Sequence, residues 1–119
     1  MNIAFRVDSS FEVGTGHITR CEQLANGLQK NGHKIFFISR RCSGNINNLV
    51  KKKFELIQIS HDLKLNTKSQ EIDANKTIKK IRDLNIKLLI VDNYSIDEYW
   101  EKKVLPYCSK LMVIDDLGN

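Results

Sequence analysis

Short apolar runs of strand length recur along the chain, at Ile3 to Val7 within a segment starting at Asn2, then Ile35 to Ile38, Leu56 to Ile59, Leu88 to Val91 and Leu111 to Ile114. The segments between them repeat apolar residues at three- and four-residue intervals, so the pattern predicts strands alternating with helices. The clearest helix carries Ile18, Cys21, Leu24, Ala25 and Leu28 on one face and stops at Asn31-Gly32, a common exit before the next strand. A second, short and weakly patterned, is expected over Asn45 to Lys52. A third runs from Gln70 to Leu84 with Ile72, Ile78, Ile81 and Leu84 inward, and a fourth from Asp97 to Tyr107 with Pro106 near its end. The polar stretch from His61 to Gln70 reads as a surface connection.

Parallel strands need crossover connections, and those are right-handed, so this alternation predicts an α/β fold: a doubly wound parallel sheet of about five strands, Rossmann-like, covered on both faces. The ligand crevice of such a sheet lies at the carboxyl ends of its strands, where the strand order reverses. Polar groups collect at those ends: Asp8-Ser9-Ser10, Ser39-Arg40, Asp92-Asn93-Tyr94 and Asp115-Asp116. The chain stops just after the fifth strand, at Gly118-Asn119, which suggests a single domain, 1–119, taken from something longer.

Composition narrows the partners. With 119 residues, 41% hydrophobic and 28% charged, the chain matches one ordinary globular domain. The net charge of +5 is spread out, apart from Arg40-Arg41 and Lys51-Lys52-Lys53, and no basic stripe interleaved with aromatics points to nucleic acid. Small anionic ligands fit the charge equally well. Cys21, Cys42 and Cys108 are widely spaced, with no pairing that suggests zinc, and read as reduced thiols in a cytoplasm. No leader or membrane-length apolar stretch is present in the sequence, so no membrane partner is expected.

The candidate chemistry sits at Gly14-Thr15-Gly16-His17, between the first strand and the first helix. Glycines let the backbone approach a ligand, and a helix start supplies unpaired N–H groups and the positive end of a dipole. At that position the local potential disfavours imidazolium, so His17 is expected to be a neutral imidazole able to take a proton. A tight turn without a ligand and a solvated histidine are the plainer alternatives. The loop is neither a dinucleotide fingerprint, since Thr19 stands at the third glycine position and Ser39 ends the second strand, nor a Walker loop, since no Gly-Lys-Ser/Thr follows. Arg20, one turn on, could clamp a phosphate, meet Gln23, or meet a surface acid elsewhere. Arg6, inside an apolar strand, calls for a buried counter-charge, for which Asp8 on the same strand face is the candidate. The strand-end carboxylates Asp8, Asp92, Asp115 and Asp116 raise the idea of a magnesium-dependent receiver, but only Asp62 could serve as phospho-acceptor after the third strand, and no lysine follows the fifth. His33 and His61 read as solvated, and Tyr99 with Trp100 as rim and core packing.

Phe5-Arg6-Val7-Asp8-Ser9-Ser10, followed by Gly14-Thr15-Gly16-His17-Ile18 and Arg20, resembles the amino-terminal signature of the PseG family. These are UDP-2,4-diacetamido-2,4,6-trideoxy-β-L-altropyranose hydrolases of pseudaminic acid biosynthesis, related to SpsG-type polysaccharide proteins. Asp92-Asn93-Tyr94 and Val113-Ile114-Asp115-Asp116 are similar too. The resemblance implies the first domain of a GT-B type enzyme, with a second, UDP-binding domain as its partner and the sugar held between the two. It implies that His17 orients or deprotonates the water attacking the anomeric carbon, that UDP leaves, and that no cofactor or metal is needed. Gly14, Thr15, Gly16 and Arg20 would then lie near the diphosphate, and Asp8, Tyr94 and Asp115 would hold sugar substituents or His17. A GT-B glycosyltransferase using a hydroxyl acceptor and a non-catalytic nucleotide-sugar binding domain are the competing readings.

Overall fold

A computed structural model describes residues 1–7, 16–40, 54–59, 67–92 and 98–114, with the backbone alone described at 16–19, 40 and 67–69. Strand β1 (Asn2–Val7) is followed by helix α1 (Gly16–Lys30), β2 (Lys34–Arg40), β3 (Glu55–Ile59), α2 (Thr67–Leu84), β4 (Leu88–Asp92), α3 (Glu98–Val104), a 3-10 turn (Leu105–Tyr107) and β5 (Lys110–Val113). The five strands form one sheet in the order β3-β2-β1-β4-β5, with every pairing parallel. The expected α/β, doubly wound, Rossmann-like sheet is therefore the observed one. The helix expected over Asn45 to Lys52 lies outside the described residues.

Alternation along each strand sends side chains to two separate cores. Ile3, Phe5, Val7, Ile35, Phe37 and Ile90 face α1, where Cys21 and Ala25 meet them. Phe5 and Phe37 stack there with ring centroids 5.1 Å apart. Ala4, Phe36, Ile38, Leu89 and Val91 face the opposite side, where α2 and α3 contribute Ala74, Ile81, Trp100 and Val104. Helices on both faces shield the backbone of β1, β2 and β4, the arrangement that a parallel sheet requires.

Both long helices stop in the same way. Gly32 has φ +92, and His33 N–H bonds Leu28 O while Gly32 N–H bonds Gln29 O. Asn85 has φ 54, with Ile86 N–H on Ile81 O and its own N–H on Arg82 O. Each is a left-handed cap closing a helix with paired reverse bonds. The exit expected at Asn31-Gly32 is observed.

Two inward assignments are corrected. Ile72 is 40% exposed, and the buried stripe of α2 is instead Gln70, Asp73, Ala74, Thr77 and Ile81. Leu24 is 36% exposed, because α1 rests on the sheet through Cys21 and Ala25. The surface connection expected from His61 to Gln70 is shortened as well, since α2 already begins at Thr67. The fourth helix is also shorter than expected. It ends at Val104, where Pro106 turns the chain into the 3-10 segment before the edge strand β5.

Candidate functional site

Strand order reverses between β1 and β4. From β1 the chain passes through α1 on one face to β2, and from β3 it passes through α2 on the other face to β4. The carboxyl ends of β1 and β4 thus lie side by side, with Val7 paired to Asp92. A crevice outside two such strand ends is where open α/β sheets take ligands. Helix α1 starts at Gly16, so His17 lies in its first turn, and that turn contains no acidic residue to offset the positive end of the helix.

Arg20 and Cys21 follow one turn later, and both reach Asp92. The Arg20 guanidinium donates from Nε to Asp92 Oδ2 at 2.8 Å and from Nη2 to Oδ1 at 2.7 Å, a two-pronged ion pair between α1 and the last residue of β4. The Asp92 side chain is 2% exposed and that of Arg20 34%, so the carboxylate is buried and the cation lies at the rim. Cys21 Sγ donates to the same Oδ2 at 3.6 Å. Burial, and then the neighbouring carboxylate, push the Cys21 thiol well above its ordinary value, so it stays a thiol rather than a nucleophilic thiolate. Of the partners open to Arg20 in the sequence, the structure brings it to an acid elsewhere in the fold, although that acid is buried at a strand end.

Arg6 is fully buried, as expected, and does form an internal ion pair, with Asp73 of α2. Arg6 Nε donates to Asp73 Oδ1 at 3.0 Å, and a second bond joins Nη2 to Oδ2. Trp100 Nε1 donates to Oδ1 at 2.9 Å and the Thr77 hydroxyl lies 3.4 Å from it. Asp8, the partner expected for Arg6, lies outside the described residues. Trp100 is buried and Tyr99 exposed, matching core and rim packing, while the indole N–H bond to Asp73 is an addition.

Among the sequence-derived site residues, Gly16, His17 and Arg20 are thus gathered on α1 at the reversal of strand order. Asp8, Gly14, Thr15, Tyr94 and Asp115 lie outside the described residues, as does His61. His33 lies at the opposite end of α1, with Nδ1 3.1 Å from the Met1 amino group. Asp92 was legible as a strand-end carboxylate and within Asp92-Asn93-Tyr94, but its pairing with Arg20 needed the strand order to emerge. Among the described residues no group of three or more His, Cys, Asp or Glu side chains could hold a metal ion, and no helix is long and apolar enough to cross a membrane.

No protein-family model matches the chain. An uncharacterized protein of Methanocaldococcus jannaschii is 30% identical over 117 residues, covering 98% of this chain and 22% of that protein. Among solved structures, a glycosyltransferase from Rickettsia africae superposes with a TM-score of 0.65 at 17% identity, covering 94% of this chain and 28% of the other. The chain therefore spans less than a third of the length of each, and it shares the fold of part of that glycosyltransferase.

Proposed function

We propose that this chain is the amino-terminal, Rossmann-like domain of a GT-B type nucleotide-sugar enzyme. In this reading it hydrolyses a UDP-linked diacetamido-trideoxy sugar at the anomeric C–O bond, releasing UDP and the free sugar. The observation that carries the reading is the position of His17, in the first turn of α1 beside the carboxyl ends of β1 and β4, on a helix start with no acidic side chain. In this reading the imidazole takes a proton from water, and the amides of the helix start stabilise charge on the departing diphosphate. Further support comes from the resemblance of Phe5 to Arg20 to the PseG signature and from the fold shared with a glycosyltransferase. In the full enzyme a second domain would hold most of the UDP, so this domain alone should turn over little or nothing. Asp8, Tyr94 and Asp115 would contact the sugar, with Gly14, Thr15 and Gly16 at the diphosphate. The setting would be nonulosonic acid or surface polysaccharide biosynthesis in the cytoplasm.

Transfer of the sugar to a hydroxyl acceptor is the second reading, favoured by the glycosyltransferase among the structural neighbours. Both chemistries want a base beside the anomeric carbon. Proton NMR of the full-length protein with the diacetamido UDP-sugar separates them. Loss of the anomeric signal together with release of UDP, with no acceptor added, is expected for the hydrolase. Persistence of the substrate until a hydroxyl acceptor is supplied would make the chain part of a transferase.

A further inference from the structure

We propose that Asp92 is a positioning residue for His17, acting through Arg20 and Cys21 to hold the first turns of α1 over the carboxyl ends of β1 and β4. This deepens the reading of His17 as the base and rests on it. The geometry is specific. Asp92 is the last residue of β4, the strand that meets β1 at the reversal of strand order, and both of its carboxylate oxygens are engaged from α1. His17 precedes Arg20 by three residues and Cys21 by four, the spacings that place residues on one helix face. A rotation or slide of α1 that displaced His17 would have to break a two-pronged charged bond at a site where Asp92 is 2% exposed and water cannot readily replace it. A ridge of apolar contacts alone would resist such movement less sharply; among the described side chains of α1, Cys21 and Ala25 are fully buried and Leu28 is partly covered.

In this proposal the pair also bears on the charge at the start of α1. Arg20 would add to the positive potential of the helix start and disfavour imidazolium further; Asp92 offsets it. Among the described residues, α1 brings Arg20 and Cys21 to Asp92, its β1 neighbour is the apolar Val7, and β5 runs beside the end of β4 with the apolar Met112 and Val113.

The test is a titration of the His17 ring signals by NMR in the full-length protein, which reads the imidazole whether or not hydrolysis is the reaction. Asp92→Asn keeps the shape and removes the negative charge that accepts both Arg20 bonds. The His17 pKa is expected to fall by about half a unit or more, because removing a negative charge disfavours the imidazolium. Arg20→Gln, at a half-exposed position and so better tolerated, is expected to raise it, and it serves as the measurement if Asp92→Asn does not fold. Shifts in these opposite directions support the proposal, with the acid limb of the kcat profile moving alike. A His17 pKa that stays within about 0.2 unit in the folded variants overturns it. Failure of His17 as the base would show instead as full activity in His17→Ala, and failure of the hydrolase reading as a substrate that persists until an acceptor is supplied, both outcomes independent of these titrations.

Discussion

Arg6 of β1 and Asp73 of α2 are 67 positions apart in sequence and meet in the interior with neither side chain exposed. The pair sits on the face of the sheet opposite α1, where Trp100 and Thr77 complete the surroundings of the carboxylate. Removing one partner leaves a buried charge without compensation. Asp73→Ala is therefore expected to cost about 3–5 kcal/mol, read as a lower urea midpoint, whereas Arg6→Met with Asp73→Leu should recover a large part of that loss. A double variant no more stable than Asp73→Ala would show that the pair contributes something apolar packing cannot replace.

Trp100 is the one tryptophan in the chain, so its fluorescence reports on the same carboxylate. Trp100→Phe keeps an aromatic ring in the core but removes the indole N–H that donates to Asp73. A loss of about 1.5–3 kcal/mol is expected, the usual worth of a hydrogen bond to a charged group. In Asp73→Asn the emission of Trp100 should shift, because the negative charge beside the indole is gone; unchanged emission would contradict the 2.9 Å bond.

Cys21 gives the stability of the protein an alkaline dependence. Its thiol is held above the ordinary value of 9.0 by burial and by Asp92, so the folded state keeps a proton that the unfolded chain releases. The contribution is fully present below pH 9 and is lost as the pH rises above it, at up to about 1.4 kcal/mol per pH unit from this one group. Urea midpoints measured from pH 8 to 10.5 should fall accordingly, and Cys21→Ala should flatten the fall even though it lowers stability at neutral pH. The same burial predicts that Cys21 resists thiol reagents in the native state.

Much of this fold was legible because its central strands β1, β2 and β4 are apolar runs buried on both faces and its first helix ends in a glycine that must take a left-handed conformation. What was not legible depended on distant partners. Helix α2 buries Gln70, Asp73 and Thr77, a polar stripe that local hydrophobic spacing assigns to solvent, because Arg6 arrives from β1 to meet it. Ile72 faces outward for the same reason: Ile78, Ile81 and Leu84 pack on the core as their spacing predicts, whereas the preceding turns bring the polar Gln70 and Asp73 inward beside Ala74. At the candidate site, His17 and Arg20 were visible from the loop and helix pattern. Asp92 acquired its role only when the order β3-β2-β1-β4-β5 set the end of β4 under α1.

The helix exits separate backbone cost from packing cost. A Cβ at Gly32 would meet nothing within 4 Å, so Gly32→Ala tests the left-handed conformation alone, and about 1–2 kcal/mol of destabilisation is expected in urea denaturation. Asn85→Gly, at the equivalent cap of α2, should be neutral or slightly stabilising, because asparagine there already tolerates φ 54 at some cost. Equal losses at the two positions would mean that something other than backbone conformation is being measured.

The sharpest test of the functional reading falls on His17. As a general base in the first turn of α1 it would supply about a hundredfold of rate, so His17→Ala in the full-length enzyme should lower kcat by at least about that factor. KM should change little if the amides of the helix start, rather than the imidazole, bind the diphosphate. His17→Gln offers a control, since it can still orient a water by hydrogen bonding but cannot take its proton near neutral pH. Activity in His17→Gln close to wild type would make the residue an orienting group, whereas a loss matching that of His17→Ala would assign it the proton. A loss below about threefold in both would remove His17 from the chemistry and leave α1 as a binding element alone.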